Sequence, residues 1–390
     1  MRSTRRKPSP WSAKRRVKER LEISGNYYFV IGQWDKSTDT FQLYASTYPR
    51  DGAPYGALSN LYILTGQWDN ALRADQEYVR LVPRQPFAYS RLAFDYIRLG
   101  QFEEAKAVAK RGLALDSDYP VIHEYLLQLA FTEGDHSAAE RESRWFLDKP
   151  EQTDSLSYEA LNAYALGQRR EAKKLYDGEL ELLQQRKLAN RAAQAGAADG
   201  FRDALLGNCQ GALLESSRRY PAYPYPNILI ALALCGQISK AQPLAAEILK
   251  RPPQDPRWNL RQLPTIRAAL ALGHNRPDKA IELLQTVAPY ERSYPLAIYL
   301  RGLAYLQLHR SSEAAVEFQK ILANKGAYWM GPGPIYPLSY LGLARAAAMS
   351  GDTARSKRAY QDLFALWKDA DHDLPPLIQA RKGIRRVALN

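Results

Sequence analysis

The sequence predicts an all-α solenoid, a row of antiparallel helix pairs stacked side by side. Three observations carry this. A glycine-led turn recurs at a strict interval, with "GQWDKS" at 32–37, "GQWDNA" at 66–71, "GQFEEA" at 100–105 and "GDHSAA" at 134–139 spaced 34 residues apart. A small residue stands five positions past each turn, and apolar residues precede the turn at helical spacing, as Leu58 and Tyr62 precede Gly66. At 390 residues the chain exceeds what one hydrophobic core usually serves, whereas an array grows by repetition.

Each unit reads as helix A, a turn, then helix B. Equivalent turns fall at Gly32, Gly66, Gly100, Gly134, Gly167, Gly207, Gly236, Asn275, His309 and Gly351, which makes ten units. Glycine takes the left-handed conformation that ends helix A without a side-chain penalty, and asparagine is the next-best residue there. Five residues on stand Ala71, Ala105, Ala139, Ala172, Ala212, Ala241, Ala280 and Ala314, with Ser37 and Ser356 in the first and last units. These face helix A from the first turns of helix B, where a small side chain lets the two helices approach closely. Trp34, Trp68 and Phe102 fill the wedge beside the turn, and Asp35, Asp69 or Glu103 suits the positive end of helix B. Pro49 and Pro83 stop helix B and start the next unit. Spacing loosens later. Helix B after Gly167 is expected to run long through "EAKKLYDGELELLQQRKLA", and the unit ending near "RRYPAYPYPN" is expected to be compressed.

This grammar resembles the tetratricopeptide repeat (TPR), over about residues 24–366. The likeness is strongest in three of the first four units and in "RGLAYLQLHRSSEAAVEFQKIL" around His309. It implies an all-α, TPR-like α-solenoid of about ten antiparallel helix pairs in a right-handed superhelix, with residues 375–390 as a C-terminal capping helix over the array at 21–374. More narrowly, "NYYFVIGQWDKS", "YPRDGAPYGALSNLY", "AAVEFQKIL" and the closing "LGLARAAAMSGDTARSKRAYQDLFALWKDADHDLP" are similar to the C-terminal repeat region of certain large bacterial serine/threonine kinases and winged-helix regulators. No phosphate-cradling glycine loop, catalytic His-Arg-Asp triplet or Asp-Phe-Gly accompanies it.

Of the formal charge of +13, residues 1–22 supply +7, with nine Lys or Arg against Glu19 and Glu22. Arg5, Arg6, Lys7, Lys14, Arg15 and Arg16 form the densest part of what reads as a disordered basic tail over 1–20. Such an arm can attract nucleic acid or an acidic surface, and a solvated leader is the commoner role. The longest clean apolar run, "ILIALALC" at 228–235, is too short to span a bilayer, and no secretory signal pattern precedes the array. A cytoplasmic placement follows as the expectation, with Cys209 and Cys235 as two reduced, packed thiols.

No cofactor or metal is expected. The five histidines are scattered over different units, and none forms the close pair a metal or nucleophile site needs. "DADHD" at 369–373 begins like a calcium loop, but Leu374 and Ala380 stand where its glycine and bidentate glutamate belong. "GPGP" at 331–334 lacks the strand and helix context of a phosphate loop.

The expected function is a non-catalytic scaffold that binds peptide or protein partners along the concave face made by successive A helices. In the repeat register, Asn60, Ile63, Phe94, Arg98, Gln128 and Phe131 look into that groove, with contact to a neighbouring helix as the competing role. Some TPR proteins clamp a carboxylate with a lysine four residues before this asparagine, and Gly56 takes that place. Within "NKGAYWMGPGPIYPLS", Trp329, Met330 and Tyr336 read either as a lid over a bound peptide or as packing between helix pairs. A separately encoded kinase or transcription regulator is the partner the narrower resemblance implies.

Overall fold

A computed structural model describes residues 10–217, 226–250, 255–331 and 333–389. Arg5, Arg6, Lys7, the Lys14 side chain and most of "RRYPAYPYPN" lie outside the described residues. Among the described residues the chain is helical with no strand. The helices pair in sequence as α1 (Pro10–Val30) with α2 (Trp34–Thr47), α3 (Ala53–Leu64) with α4 (Trp68–Leu81), and α5 (Pro86–Arg98) with α6 (Phe102–Leu113). Next come α7 (Pro120–Glu133) with α8 (His136–Trp145), α9 (Gln152–Ala165) with α10 (Arg169–Gln185), and α11 (Ala189–Leu205) with α12 (Cys209–Ser217). The later half continues with α13 (Pro226–Leu234) and α14 (Ile238–Lys250), α15 (Leu263–Gly273) and α16 (Pro277–Gln285), then α17 (Pro295–Gln307) and α18 (Ser311–Leu322). A short helix α19 (Lys325–Tyr328) precedes α20 (Ile335–Met349) and α21 (Thr353–Leu366), and α22 (Pro375–Leu389) closes the stack.

The turn chemistry explains the pairing. Every turn glycine from Gly32 to Gly351 has positive φ, and Asn275 and His309 adopt the same left-handed geometry at φ 55 and 57. The crossing alanines are buried. Where serine replaces alanine its hydroxyl is satisfied across the pair, Ser37 Oγ donating to Gly25 O at 2.8 Å and Ser356 Oγ to Ala344 O at 2.9 Å. The small residue therefore permits close approach, and in the end units it also ties the two helices together. Helix α10 runs long, to Gln185, where Lys187 turns the chain at positive φ.

Two expectations need correction. The basic stretch is not an unstructured tail up to residue 20, because α1 starts at Pro10 and carries Arg15, Arg16, Lys18 and Arg20 on helical backbone. Local charge pairing supports that helix, with Arg15 Nε 2.9 Å from Glu19 Oε1 and Lys18 reaching Asp51 on the next turn. Cys209 and Cys235 are not two free thiols. They form a disulfide, with Cα atoms 5.8 Å apart, because the start of α12 and the end of α13 meet at one edge of the stack. A sequence separation of 26 carries no sign of that meeting.

The solenoid also closes on itself. Loops that link B to A helices in the later half dock, in order, on the A-to-B turns of the earlier half. Tyr290 stands edge-on to Trp34 with ring centroids 5.1 Å apart, and the Arg292 guanidinium lies 4.3 Å from the Trp68 ring centroid. Ser293 Oγ donates to Leu64 O at 2.7 Å, and Gly326 sits against the Ile97 carbonyl. Trp367 Nε1 donates to Ala165 O at 2.9 Å, and Asp371 N to Gly167 O at 3.0 Å. The acidic run at 369–373 is thus a latch, its Asp371 and Asp373 carboxylates held by Arg170. One apolar core joins Trp68, Tyr164 and the later units through to Val387.

Glycine makes this seam possible a second way. A Cβ on Gly32, Gly167 or Gly207 would collide with Pro256, Ala370 or Pro375, while at Gly100, Gly134, Gly236 and Gly351 nothing stands within 4 Å. Helix α22 packs against the preceding helices through Leu377, Ala380 and Val387, while Ile378 remains 38% exposed.

Candidate functional site

The A helices carry the residues in groove register, and those of the earlier and later halves differ in character. In the earlier half, the residues in groove register hold one another. Asn60 is exposed, and its Oδ1 accepts from Arg91 Nη1 at 2.8 Å. The same guanidinium donates to Asp75 Oδ1 at 2.9 Å and to Gly56 O at 3.0 Å. Arg91 thus spans the position where a clamp lysine was sought. Phe94 stacks on Tyr125 with centroids 4.4 Å apart, and the Arg98 guanidinium lies 3.8 Å from the Phe94 centroid. Arg98 also donates to Asp95 Oδ1 at 3.1 Å. Burial, with the Asp75 charge beside it, holds the Asp95 carboxyl well above the usual carboxylate range.

Ile63 is half-buried, Gln128 is buried, and Phe131 packs against the cluster of Leu127, Ala130, Ala139 and Phe146. Of the six, Asn60 presents an exposed edge, while Gln128 and Phe131 serve the helix packing. Further along the same face, burial raises Glu124 to about 7, and its carboxylate accepts from Tyr158 Oη at 3.4 Å.

Of the two readings of the 324–339 segment, lid or packing between helix pairs, its contacts favour packing. Trp329 is 3% exposed, its Nε1 donates to Asn162 Oδ1 at 3.0 Å, and its ring meets Tyr336 at 5.7 Å. Tyr336 is buried and Met330 half-buried. Tyr328 stands edge-on to Trp68 at 5.9 Å and donates to Arg292 O at 2.8 Å. These aromatics fill the seam between the two halves, which is the packing role rather than the binding one.

In the later half a cavity of about 930 Å³ opens among the A helices and the closing helix. It lies where Leu303 and Leu306 on α17, Arg345, Ala348 and Met349 on α20, and Arg386 and Val387 on α22 converge, with Leu234 of α13 at one side. These positions repeat the groove register: Leu303 and Arg345 stand six residues before their turns, as do Asn60, Phe94 and Gln128, and Leu306 and Ala348 stand three before. The register that selects Asn60 therefore also selects the cavity. Applied to the units of His309 and Gly351, it would have found Leu303, Leu306 and Arg345 from sequence alone.

The cavity is apolar with a cationic edge. Arg345 donates to the neutral amide of Gln379, and Arg386 is exposed, so neither guanidinium is paired with a carboxylate among the described residues. Between them Tyr360 is buried, 3% exposed, and its hydroxyl approaches so close to Gly383 that a Cβ there would collide with it. Burial pushes the Tyr360 phenol up, and the charges of Arg345 and Arg386 act on it in the opposite sense, which sets both cations near it. Such a surface can bind; nothing in it couples a nucleophile to a base. Among the described residues no group of His, Cys, Asp and Glu gathers to hold a metal ion, and no helix is long and apolar enough to cross a membrane.

No known protein-family profile matches the chain, and no curated protein matches it. Among solved structures, yeast Tom70 aligns over 96% of both chains at 14% identity with a TM-score of 0.30. The TPR domain of P58(IPK) aligns over 87% of this chain and 98% of its own at 15% identity, with a TM-score of 0.26. The helical-hairpin architecture described above therefore stands on the coordinates themselves.

Proposed function

We propose that this chain is a non-catalytic scaffold that binds a peptide or protein partner on the concave face of its helical array. The observation that carries this is the open cavity of about 930 Å³ at the groove register of the last two units and the closing helix. Its size falls at the upper end of ordinary ligand pockets, and its apolar floor with a few polar groups at the rim is the usual composition of a binding site. The filled and self-paired groove of the earlier half favours the later half as the docking end.

A photo-crosslinking side chain placed at Met349, which is exposed in the cavity, tests the reading against the same group at Lys357 on α21. Crosslinking in cells followed by mass spectrometry is expected to trap a defined partner from Met349 and not from Lys357. Identical products from both positions, or turnover of a substrate by the purified chain, would count against a concave-face scaffold.

Of the finer readings, a signalling kinase or transcription regulator is the partner class supported by the resemblance in the closing unit. Co-purification with a kinase or winged-helix protein from neighbouring reading frames tests it. The bonded cysteine pair counts against a reducing compartment and so against the expected cytoplasmic placement.

A further inference from the structure

The chemistry of the cavity narrows the partner, given the scaffold reading above. Its walls supply Leu303, Leu306, Met349 and Val387, and its charged groups are two arginines with no carboxylate among the lining residues. The closing helix adds Arg381, Lys382 and Arg385, all on a segment, "PPLIQARKGIRRVAL", that contains no acidic residue. Arg386 makes no hydrogen bond or ion pair among the described residues, and the Tyr360 hydroxyl accepts from and donates to none of them. Two arginines on the A helix α5 show the contrast, Arg91 being matched by Asp75 and Arg98 by Asp95. An unmatched pair of planar cations beside an unpaired phenol lacks its counter-charge.

We propose that the cavity binds a polypeptide segment in which apolar side chains alternate with side-chain carboxylates, the carboxylates meeting Arg345 and Arg386 and the apolar side chains filling the floor. A guanidinium offers parallel N–H donors that match a carboxylate, and the pair is strongest where the surroundings are partly desolvated. A polypeptide fits better than a lipid chain because the cavity is open along one side to solvent, where a backbone keeps its hydration and an alkyl tail would stay wet. Arg345 and Arg386 come from α20 and α22, so the site requires the closing helix to be docked.

Synthetic decapeptides of alternating leucine and glutamate, leucine and glutamine, leucine and lysine, and leucine and phosphoserine test this on the full chain by fluorescence anisotropy, with dodecanoate as a competitor. The glutamate peptide is expected to bind about ten-fold or more tighter than the glutamine peptide at low salt, the gap closing as salt rises. Arg386→Glu should weaken the glutamate peptide and strengthen the lysine peptide. Arg386 has no partner to lose, so this reversal leaves the fold intact, and Lys357→Glu on α21 should change neither affinity.

Equal binding of the glutamate and glutamine peptides would overturn the charge assignment while leaving the scaffold reading in place. Binding of the phosphoserine peptide alone, or displacement of the peptide by dodecanoate at lower concentration than the peptide itself, would overturn it in favour of those ligands. Absence of binding by all four, together with no crosslink from Met349, would remove the scaffold reading as well.

Discussion

Glycine at a turn has two separate jobs in this chain, and a pair of substitutions separates them. Gly134 and Gly167 both have positive φ, at 79 and 71. A Cβ on Gly134 meets nothing within 4 Å, whereas on Gly167 it meets Ala370 at 2.7 Å. Gly134→Ala should therefore cost about 1–2 kcal/mol from the left-handed backbone alone. Gly167→Ala should cost more, by the displacement of the docked loop, and thermal denaturation of the two variants compares them directly. Equal losses would mean that the loop does not rest on the turn. A second residue carries a pH signature. Glu179 is buried, its Oε2 lacks a hydrogen-bond partner, and burial raises it from 4.5 to about 7. The folded state holds this proton over a range where the unfolded chain has released it, so stability from this group falls as pH rises from about 4.5 to about 7 and is level above. Glu179→Gln should stabilise by about 1–3 kcal/mol at pH 8 and have little effect near pH 4, read by chemical denaturation at both values. Turn and crossing residues were legible from sequence because their identity alone does the work: only a residue that tolerates positive φ ends helix A, and only a small one fits the crossing. The pairing of Asn60 with Arg91 was not legible, since it needs three helices to be in place.

At the scale of elements, the disulfide adds a side-chain crosslink between α12 and α13, made by the two cysteines of the chain. Cys235→Ala is expected to lower stability by about 3 kcal/mol, the usual value for a closed loop of this length. Intact-mass measurement under non-reducing conditions checks the bond itself, because a chain two hydrogen atoms heavier would show free thiols. The helices were legible in type and in their order as antiparallel pairs. The loop at 324–334 was not. Its aromatics are equally suited to a lid and to a seam, and only the position of Asn162, more than a hundred residues away in the chain, decides for the seam. The cavity lay between these cases, since the register that pointed to Asn60 and Phe94 applies equally to Leu303 and Arg345, but openness depends on what neighbouring helices leave uncovered.

For the whole molecule, the repeat pattern implies stacking between neighbours and says nothing about contacts between units far apart. Yet the structure carries loops of the later half on turns of the earlier half, and this self-docking divides the surface unevenly. It covers the ends of the earlier A helices with Trp329, Tyr328 and Arg292, whereas the cavity lined from α17, α20 and α22 stays open. Sequence could not show this because the matching surfaces share no local period; each is an ordinary turn or loop until the superhelix brings them together. The most direct measurement is hydrogen exchange of the backbone amides at 367–374, a stretch outside any helix whose Asp371 N–H donates to Gly167 O at 3.0 Å. A docked superhelix predicts slow exchange at Asp371, comparable with the flanking helices and accelerated in Gly167→Ala. Exchange at the rate of an open loop in the unsubstituted chain would contradict it.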